Sequence, residues 1–115
     1  MEYNIVKGEN IMAFQYGGSI LDLCVLALVS REDLYGYRLT HMMKEALDTS
    51  ESTLYPILRR LTKEKYLTTY DQPHDGRNRR YYTLTPAGEK RLKELTEEWN
   101  AHVTRVSEIL ERSES

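Results

Sequence analysis

The chain has 115 residues, of which 40% are hydrophobic, enough for one domain with its own core and too few for two. Its formal net charge of −2 at pH 7 gives no overall sign of a nucleic-acid partner. Cys24 is the only cysteine and no apolar run is long enough to span a bilayer, so we expect a cytoplasmic protein without an intrachain disulfide, a thiol-rich metal site or a membrane helix.

Residues 1–18 are mixed in polarity and end in two glycines, so we treat them as an N-terminal arm of undefined structure, and both Met1 and Met12 remain open as the start of the protein. The first helix is predicted over residues 19–31. Ser19 stands at the N-cap position, and the residues after it are apolar on nearly every side, as in a helix buried by its neighbours.

Two shorter helices are predicted next, over residues 36–47 and roughly 51–65. The first has apolar residues at one-sided helical spacing, namely Leu39, Met42, Met43, Ala46 and Leu47. The second follows a cluster of capping residues, "DTSES". A start at Ser52 or Thr53 would place Pro56 near the first turn, whereas an earlier start predicts a kink at Pro56.

The last two predicted elements are a β-hairpin and a long helix. The segments "YLTTYD" and "RRYYTLT" are rich in Tyr and Thr, and they flank the turn formers of "QPHDGRN". The helix, over residues 86–112, opens at Thr85 and Pro86, a favourable N-cap and N1 pair. Its apolar residues recur every three or four positions, at Leu92, Leu95, Trp99, Val103, Val106 and Leu110.

This order of elements predicts a mainly α fold with a small β-hairpin wing, that is, a winged helix-turn-helix followed by a long C-terminal helix. We expect a DNA-binding domain over residues 19–85, a dimerisation helix over 86–112 and a tail over 113–115. The small core cannot cover the whole apolar stripe of the last helix, which predicts a twofold symmetric dimer. Its two third helices would lie about 34 Å apart, one DNA turn, so the operator would be a pseudo-palindrome.

The third helix has one apolar face, and its other face carries hydroxyls and bases. Positive charge is concentrated in this region, because the segment from Ser52 to Arg91 has nine basic and four acidic residues. Such a face is typical of a recognition helix in the major groove, and a basic hairpin tip is typical of a wing that follows the DNA backbone. The predicted DNA-binding residues are Ser52, Thr53, Tyr55, Arg59, Arg60 and Lys63 on the helix and Arg77, Arg79 and Arg80 on the wing.

Three motifs resemble the PadR family of bacterial transcriptional regulators in its short form: "LYGYRL" at 34–39, "STLYPILRRL" at 52–61 and "RRYYTLTPAG" at 79–88. The resemblance covers about residues 19–112. It implies a homodimeric, usually repressing DNA-binding protein that often controls its own gene or a neighbouring transporter or stress gene, with a dimer built by the last helix and the first. Lys65 is a departure, because the family usually has a glycine at the end of the third helix.

Two interpretations of Trp99, in the middle of the predicted dimerisation helix, remain open. In the first, its ring is a packing anchor across the dimer interface. In the second, which rests on some short members of the resembled family, the two symmetry-related rings hold a planar aromatic effector between them. Leu95 and Val103, one turn to either side, would then form the apolar walls of the pocket.

No enzyme is expected, because no nucleophile, base and orienting group come together and the three histidines show no metal-ligand spacing. We expect four tyrosines of the motifs to bury their rings against the helices, namely Tyr35, Tyr37, Tyr81 and Tyr82. Two classes of function stay open. One is a DNA-binding repressor, with or without an effector, and the other is a protein-interaction module that uses the same fold without DNA.

Overall fold

The structure, a computed structural model, describes residues 18–113. The predicted N-terminal arm up to residue 17, with both candidate start residues, and the last two residues of the tail lie outside this range. The described part contains four helices and three strands, in the order α1 (Gly18–Arg31), β1 (Leu34–Tyr35), α2 (Gly36–Leu47), α3 (Glu51–Lys63), β2 (Leu67–His74), β3 (Arg77–Leu84) and α4 (Pro86–Ser113). The predicted fold class is confirmed. None of these helices is long and apolar enough to cross a membrane.

The three strands form one antiparallel sheet in the order β1-β3-β2. β2 and β3 are the predicted hairpin, and β1 pairs with the other edge of β3, where Leu34 lies opposite Tyr82 and Tyr35 opposite Tyr81. The predicted hairpin wing is confirmed, and β1 is a further strand of its sheet that the sequence did not predict. A strand of two residues has no alternation of apolar and polar side chains, and only its pairing with a distant part of the chain defines it.

The hairpin is longer, and its turn tighter, than the sequence predicted. β2 ends at His74 and β3 begins at Arg77, which leaves a loop of Asp75 and Gly76 alone. Both loop residues have positive φ, 51° and 76°, as in a type I′ turn, whose twist matches the twist of paired strands. The hairpin therefore carries its arginines out to the very tip of the wing.

The core lies where α1, α2 and α3 meet the sheet and the first turns of α4. Its buried apolar side chains are Val25, Leu26, Val29, Leu34, Leu39, Met43, Leu54, Leu58, Leu61, Leu67 and Leu95. Three of these residues, at helical spacing, form the buried face of α3. The opposite face of α3 is left to the solvent, as predicted.

α3 begins at Glu51, as predicted, and so before the alternative start at Ser52 or Thr53. Ser50 is its N-cap, and the Ser50 hydroxyl accepts a hydrogen bond from the Thr53 amide at 3.3 Å. Pro56 therefore lies in the second turn of the helix, where its ring removes the donor for the Ser52 carbonyl. The kink that an earlier start implies stays a prediction.

α3 ends in a Schellman motif built on Lys65. The Tyr66 amide donates to the Leu61 carbonyl at 3.0 Å, and the Lys65 amide donates to the Thr62 carbonyl at 3.0 Å. Lys65 has a φ of 69°, the left-handed conformation that glycine adopts more easily. The departure from the family pattern therefore changes the residue at the cap and leaves the cap itself in place.

The predicted start of α4 at Thr85 and Pro86 is confirmed, and it is bonded to the end of α3. The Thr85 hydroxyl accepts a hydrogen bond from the Gly88 amide at 2.9 Å and donates to the Lys65 carbonyl at 2.6 Å. The Thr85 amide donates to the Tyr66 carbonyl at 3.1 Å. These bonds fix the direction in which α4 leaves the wing.

The apolar stripe of α4 is covered by the chain's own core only in its first half. Leu92 packs against the core and Leu95 is completely buried in it. Further along the same face, four side chains are exposed, namely Val103 (39%), Val106 (38%), Ile109 (63%) and Leu110 (59%). Because the helix extends beyond the core, the chain is elongated, with extents of 60 × 27 × 25 Å.

Candidate nucleic-acid interface

The outward face of α3 presents Arg59 and Lys63 to the solvent. They lie one helical turn apart, opposite the leucines that hold the helix in the core. Ser52 and Thr53 are exposed at the N-terminal end of the same helix, where Ser50 bonds to both of their hydroxyls at 3.1 and 3.0 Å. Polar groups therefore run along the helix in an arrangement suited to base edges and phosphate.

Arg60 differs from Arg59 because it is tied to the rest of the chain. Its guanidinium bonds to Asp22 of α1 at 2.6 Å and to Glu64 at 3.1 Å. Burial raises the pKa of the Asp22 carboxyl although the Arg60 charge opposes the rise. The contact therefore couples α3 to α1, and the two carboxylates hold both terminal nitrogens of the guanidinium.

The three predicted wing arginines have three different environments. Arg77 is exposed beside the turn. Arg80 donates to the Asp71 carboxylate across the hairpin at 3.1 Å, and this hydrogen bond lowers the pKa of Asp71. Arg79 is half-buried, and the central carbon of its guanidinium lies 4.1 Å from the centre of the Tyr35 ring, a cation–π contact.

A cleft of about 710 Å³ lies between the wing and the N-terminal ends of α2 and α3. It is lined by Tyr35, Gly36, Tyr37, Tyr55, His74, Asp75, Arg77, Asn78, Arg79, Arg80 and Tyr82. The cleft thus brings Tyr55 of α3 together with all three wing arginines, although the other predicted residues of α3 lie outside its lining. Burial raises the pKa of the Tyr82 hydroxyl, while the positive charges of Arg80 and Arg59 oppose the rise.

The motif tyrosines do not share one environment. Tyr82 packs against the core, as the prediction of buried rings requires, and Tyr35 and Tyr81 are half-buried. Tyr37 contradicts that prediction, because its side chain is 65% exposed at the mouth of the cleft, stacked on His41 at 6.4 Å between ring centres. Its position in the first turn of α2 turns the ring outward, away from Leu39 and Met43 on the buried face.

Sequence reasoning missed the contribution of Tyr35 and Gly36 to the cleft. Both depend on the short strand β1, whose pairing with β3 brings the "LYGYRL" motif beside the wing. Only the place of the two residues in a family motif drew attention to them. No periodic pattern of apolar and polar residues in the sequence indicated that Tyr35 and Gly36 would line the cleft.

The three ligand residues predicted on α4 are not equivalent. Leu95 is completely buried in the core of its own chain, so a ligand cannot reach it there. Trp99 is half-buried, with its ring centre 6.2 Å from that of His102, and Val103 is 39% exposed. Only Trp99 and Val103 therefore have surface to offer to a partner or a ligand.

Comparison with known proteins agrees with this geometry. The model of the transcriptional regulator PadR-like family matches residues 25–94, which include α2, α3 and the wing. A Streptococcus mutans protein, smu.1704, has a crystal structure with a TM-score of 0.79 and 43% identity, covering 87% of this chain and 94% of that one. The crystal structure of a PadR-like transcriptional regulator of Bacillus cereus has a TM-score of 0.73 and 32% identity, covering 79% of this chain and 91% of that one.

A further match includes DNA. The structure of Bacillus subtilis PadR in complex with operator DNA has a TM-score of 0.60 and 30% identity, covering 65% of this chain and 45% of that protein. The family model spans more than half of the chain, and its members are transcriptional regulators and not enzymes. The chain therefore belongs to the PadR-like family of transcriptional regulators.

Proposed function

We propose that this chain is a sequence-specific DNA-binding regulator that represses its own or neighbouring genes. The observation that carries the proposal is the exposed face of α3, with Arg59 and Lys63, next to a cleft lined by three wing arginines. A recognition helix in the major groove would place the wing against the flanking backbone. The Bacillus subtilis relative, solved in complex with operator DNA, supports DNA binding by this chain.

The chain is proposed to act as a homodimer through α4, with residues 19–85 as the DNA-binding part and 86–112 as the dimerisation helix. The support is the exposed half of the apolar stripe, where Trp99, Val103, Val106 and Leu110 follow the spacing of a coiled-coil seam. A second copy of the same stripe is complementary to it in a twofold arrangement. Such a dimer would read a pseudo-palindromic operator.

The basic residues are proposed to divide into two roles. Arg59 would read base edges, because within residues 18–113 no carboxylate pairs with its guanidinium as Asp22 and Glu64 do with Arg60. Lys63, Arg77 and Arg79 would bind phosphate and hold the protein on the duplex.

Arg59→Ala is expected to weaken operator binding by about 1–3 kcal/mol and to reduce the preference for operator over random duplex. Arg77→Ala should weaken binding to both duplexes alike, since a phosphate contact carries no base information. Arg105→Ala, an exposed arginine on the distant part of α4, is the matched control and should bind as wild type. Competition titrations with the two duplexes measure the difference, and an Arg59→Ala variant with unchanged preference would contradict the role given to Arg59.

A planar aromatic effector is the finer part of the proposal. Two Trp99 rings near the twofold axis would stack on both faces of a flat molecule, with Val103 beside them. An effector releases the operator only if it binds more tightly to a dimer in which the two DNA-binding parts are spaced differently from the operator-bound state. Because Trp99 is the only tryptophan, its fluorescence reports directly on this site.

A panel of planar aromatic compounds is expected to contain members that change the Trp99 emission of the wild-type protein. The same members should release no heat of binding in calorimetry with Trp99→Ala. If no compound changes the emission and a soluble quencher does not reach the ring, Trp99 is a packing residue of the dimer.

A further inference from the structure

A row of three tyrosines crosses the outer face of the sheet and ends at Arg79. Tyr70 of β2 stacks on Tyr81 of β3, with ring centres 5.4 Å apart and planes at 9°. Tyr81 meets Tyr35 of β1 edge to face, at 5.6 Å and 62°. The Tyr35 ring then carries the guanidinium of Arg79 at 4.1 Å. One side chain from each strand thus contributes to a continuous contact that reaches the cleft.

Both ends of the tyrosine row are connected to β1, and these connections hold the Tyr35 ring in place. The Tyr70 hydroxyl donates to the Asp33 carboxylate at 2.6 Å, and this hydrogen bond raises the pKa of Tyr70, so the hydroxyl stays protonated as the donor. Asp33 directly precedes β1, the strand that carries Tyr35. The backbone pairing of Tyr35 with Tyr81 completes the circuit. The ring beneath Arg79 is therefore fixed by contacts at both ends of the row.

Arg79 is held differently from its neighbours on the wing. Arg80 uses its Nε for Asp71, whereas within residues 18–113 no carboxylate is in ion-pair contact with Arg79. A cation–π contact does not occupy the five N–H donors of a guanidinium as an ion pair does, so N–H groups of Arg79 remain for an oxygen ligand. Because the stack already orders the side chain, less conformational entropy is lost when Arg79 binds a ligand.

We propose that Tyr35 is a positioning residue for DNA binding, which holds Arg79 at the mouth of the cleft in the orientation that binds a backbone phosphate. The inference rests on the proposed function, because the ligand of Arg79 is the DNA of that proposal. It adds to that function a residue on β1 that acts on DNA through the wing. Phosphate is the ligand that fits, since a planar guanidinium with open N–H groups matches its oxygens in a bidentate manner.

The test compares two substitutions of Tyr35 in binding to a short random-sequence duplex at low salt. Tyr35→Phe keeps the ring and should bind within about twofold of wild type, whereas Tyr35→Leu removes the π face and should bind about fivefold to tenfold more weakly. The slope of log affinity against log salt should also become shallower by about one per protomer in Tyr35→Leu, because one phosphate contact is lost in each.

A double-mutant cycle separates positioning from a direct contact. In an Arg79→Ala background, Tyr35→Leu should have no further effect, whereas in an Arg77→Ala background it should keep its full effect. Equal effects in the two backgrounds, or wild-type binding by Tyr35→Leu alone, would overturn the proposal. A wild-type protein that binds no DNA at all would instead overturn the proposed function.

The contact itself is tested in the free wild-type protein, so the proposal does not depend on the folding of Tyr35→Leu. The side-chain resonances of Arg79 should be shifted upfield by the ring current of Tyr35, and Tyr35→Phe should keep the shift. Exposed Arg77 provides the reference for an arginine side chain that rotates freely. If the Arg79 resonances lie at the same positions as those of Arg77, Tyr35 does not hold Arg79 and the proposal is overturned.

Discussion

Val106→Glu is expected to leave the chain folded but monomeric, and to weaken operator binding by about a hundredfold or more. Val106 is 38% exposed in the single chain, so a glutamate there meets solvent in the monomer. In the proposed dimer the same position faces its symmetry mate, and two unpaired carboxylates would be brought together away from water. The two DNA-binding domains would then have to bind their half-sites separately, without the gain in effective concentration that a dimer provides.

Ala101→Glu is the matched control for this substitution. Ala101 is exposed on the same helix, two positions from Trp99 and so on nearly the opposite face. This variant should remain dimeric and bind operator as wild type does. Sedimentation at micromolar concentration measures the mass, and a titration of operator DNA measures the affinity. A Val106→Glu protein that stays dimeric would contradict the interface assigned to α4.

Gly88→Ala is expected to lower the free energy of unfolding by about 3 kcal/mol or more. A Cβ at this position would overlap the carbonyl oxygen of Tyr66 and lie 2.7 Å from Cδ1 of Leu84. The carbonyl cannot withdraw easily, because it accepts the hydrogen bond from the Thr85 amide. The substitution would therefore push α4 away from the end of α3.

The same exchange at Gly36 provides the control. A Cβ at Gly36 would meet Tyr55 and Tyr82 at 3.6–3.8 Å, which is ordinary van der Waals contact. Gly36→Ala should change stability by no more than about 1 kcal/mol, and alanine's better helix propensity favours a gain. Urea denaturation of both variants and wild type at one protein concentration makes the comparison. A Gly88→Ala loss as small as the Gly36→Ala change would show that α4 is not held close to Tyr66.

The helices and the hairpin were predictable because each has a local signal. The apolar spacing of α2 gave its bounds, the pair Thr85 and Pro86 gave the start of α4, and the turn residues gave the hairpin. The strand β1 and the left-handed Lys65 had no such signal. In both cases the deciding interaction is with another part of the chain, and it outweighs the weak local preference.

The candidate interface was predictable as a face and not as a set of contacts. The sequence indicated that Arg59 and Arg60 lie on or near the outward side of α3, but only the structure shows that Asp22, far away in the chain, binds Arg60. It likewise shows that Arg79 lies on Tyr35 and that Leu95 belongs to the core. Periodicity tells which residues share a face of one element, whereas the partner on a second element depends on packing.

The central claim is that this chain binds DNA as a dimer, and its most direct test is a titration of duplex DNA from upstream of its own gene at several salt concentrations. Lys63, Arg77 and Arg79 would give on the order of six phosphate contacts per dimer, so log affinity should fall against log salt with a slope of about −5. Binding should also persist against an excess of random duplex. A protein that binds neither duplex at low salt would contradict the claim and favour a protein-interaction module on the same fold.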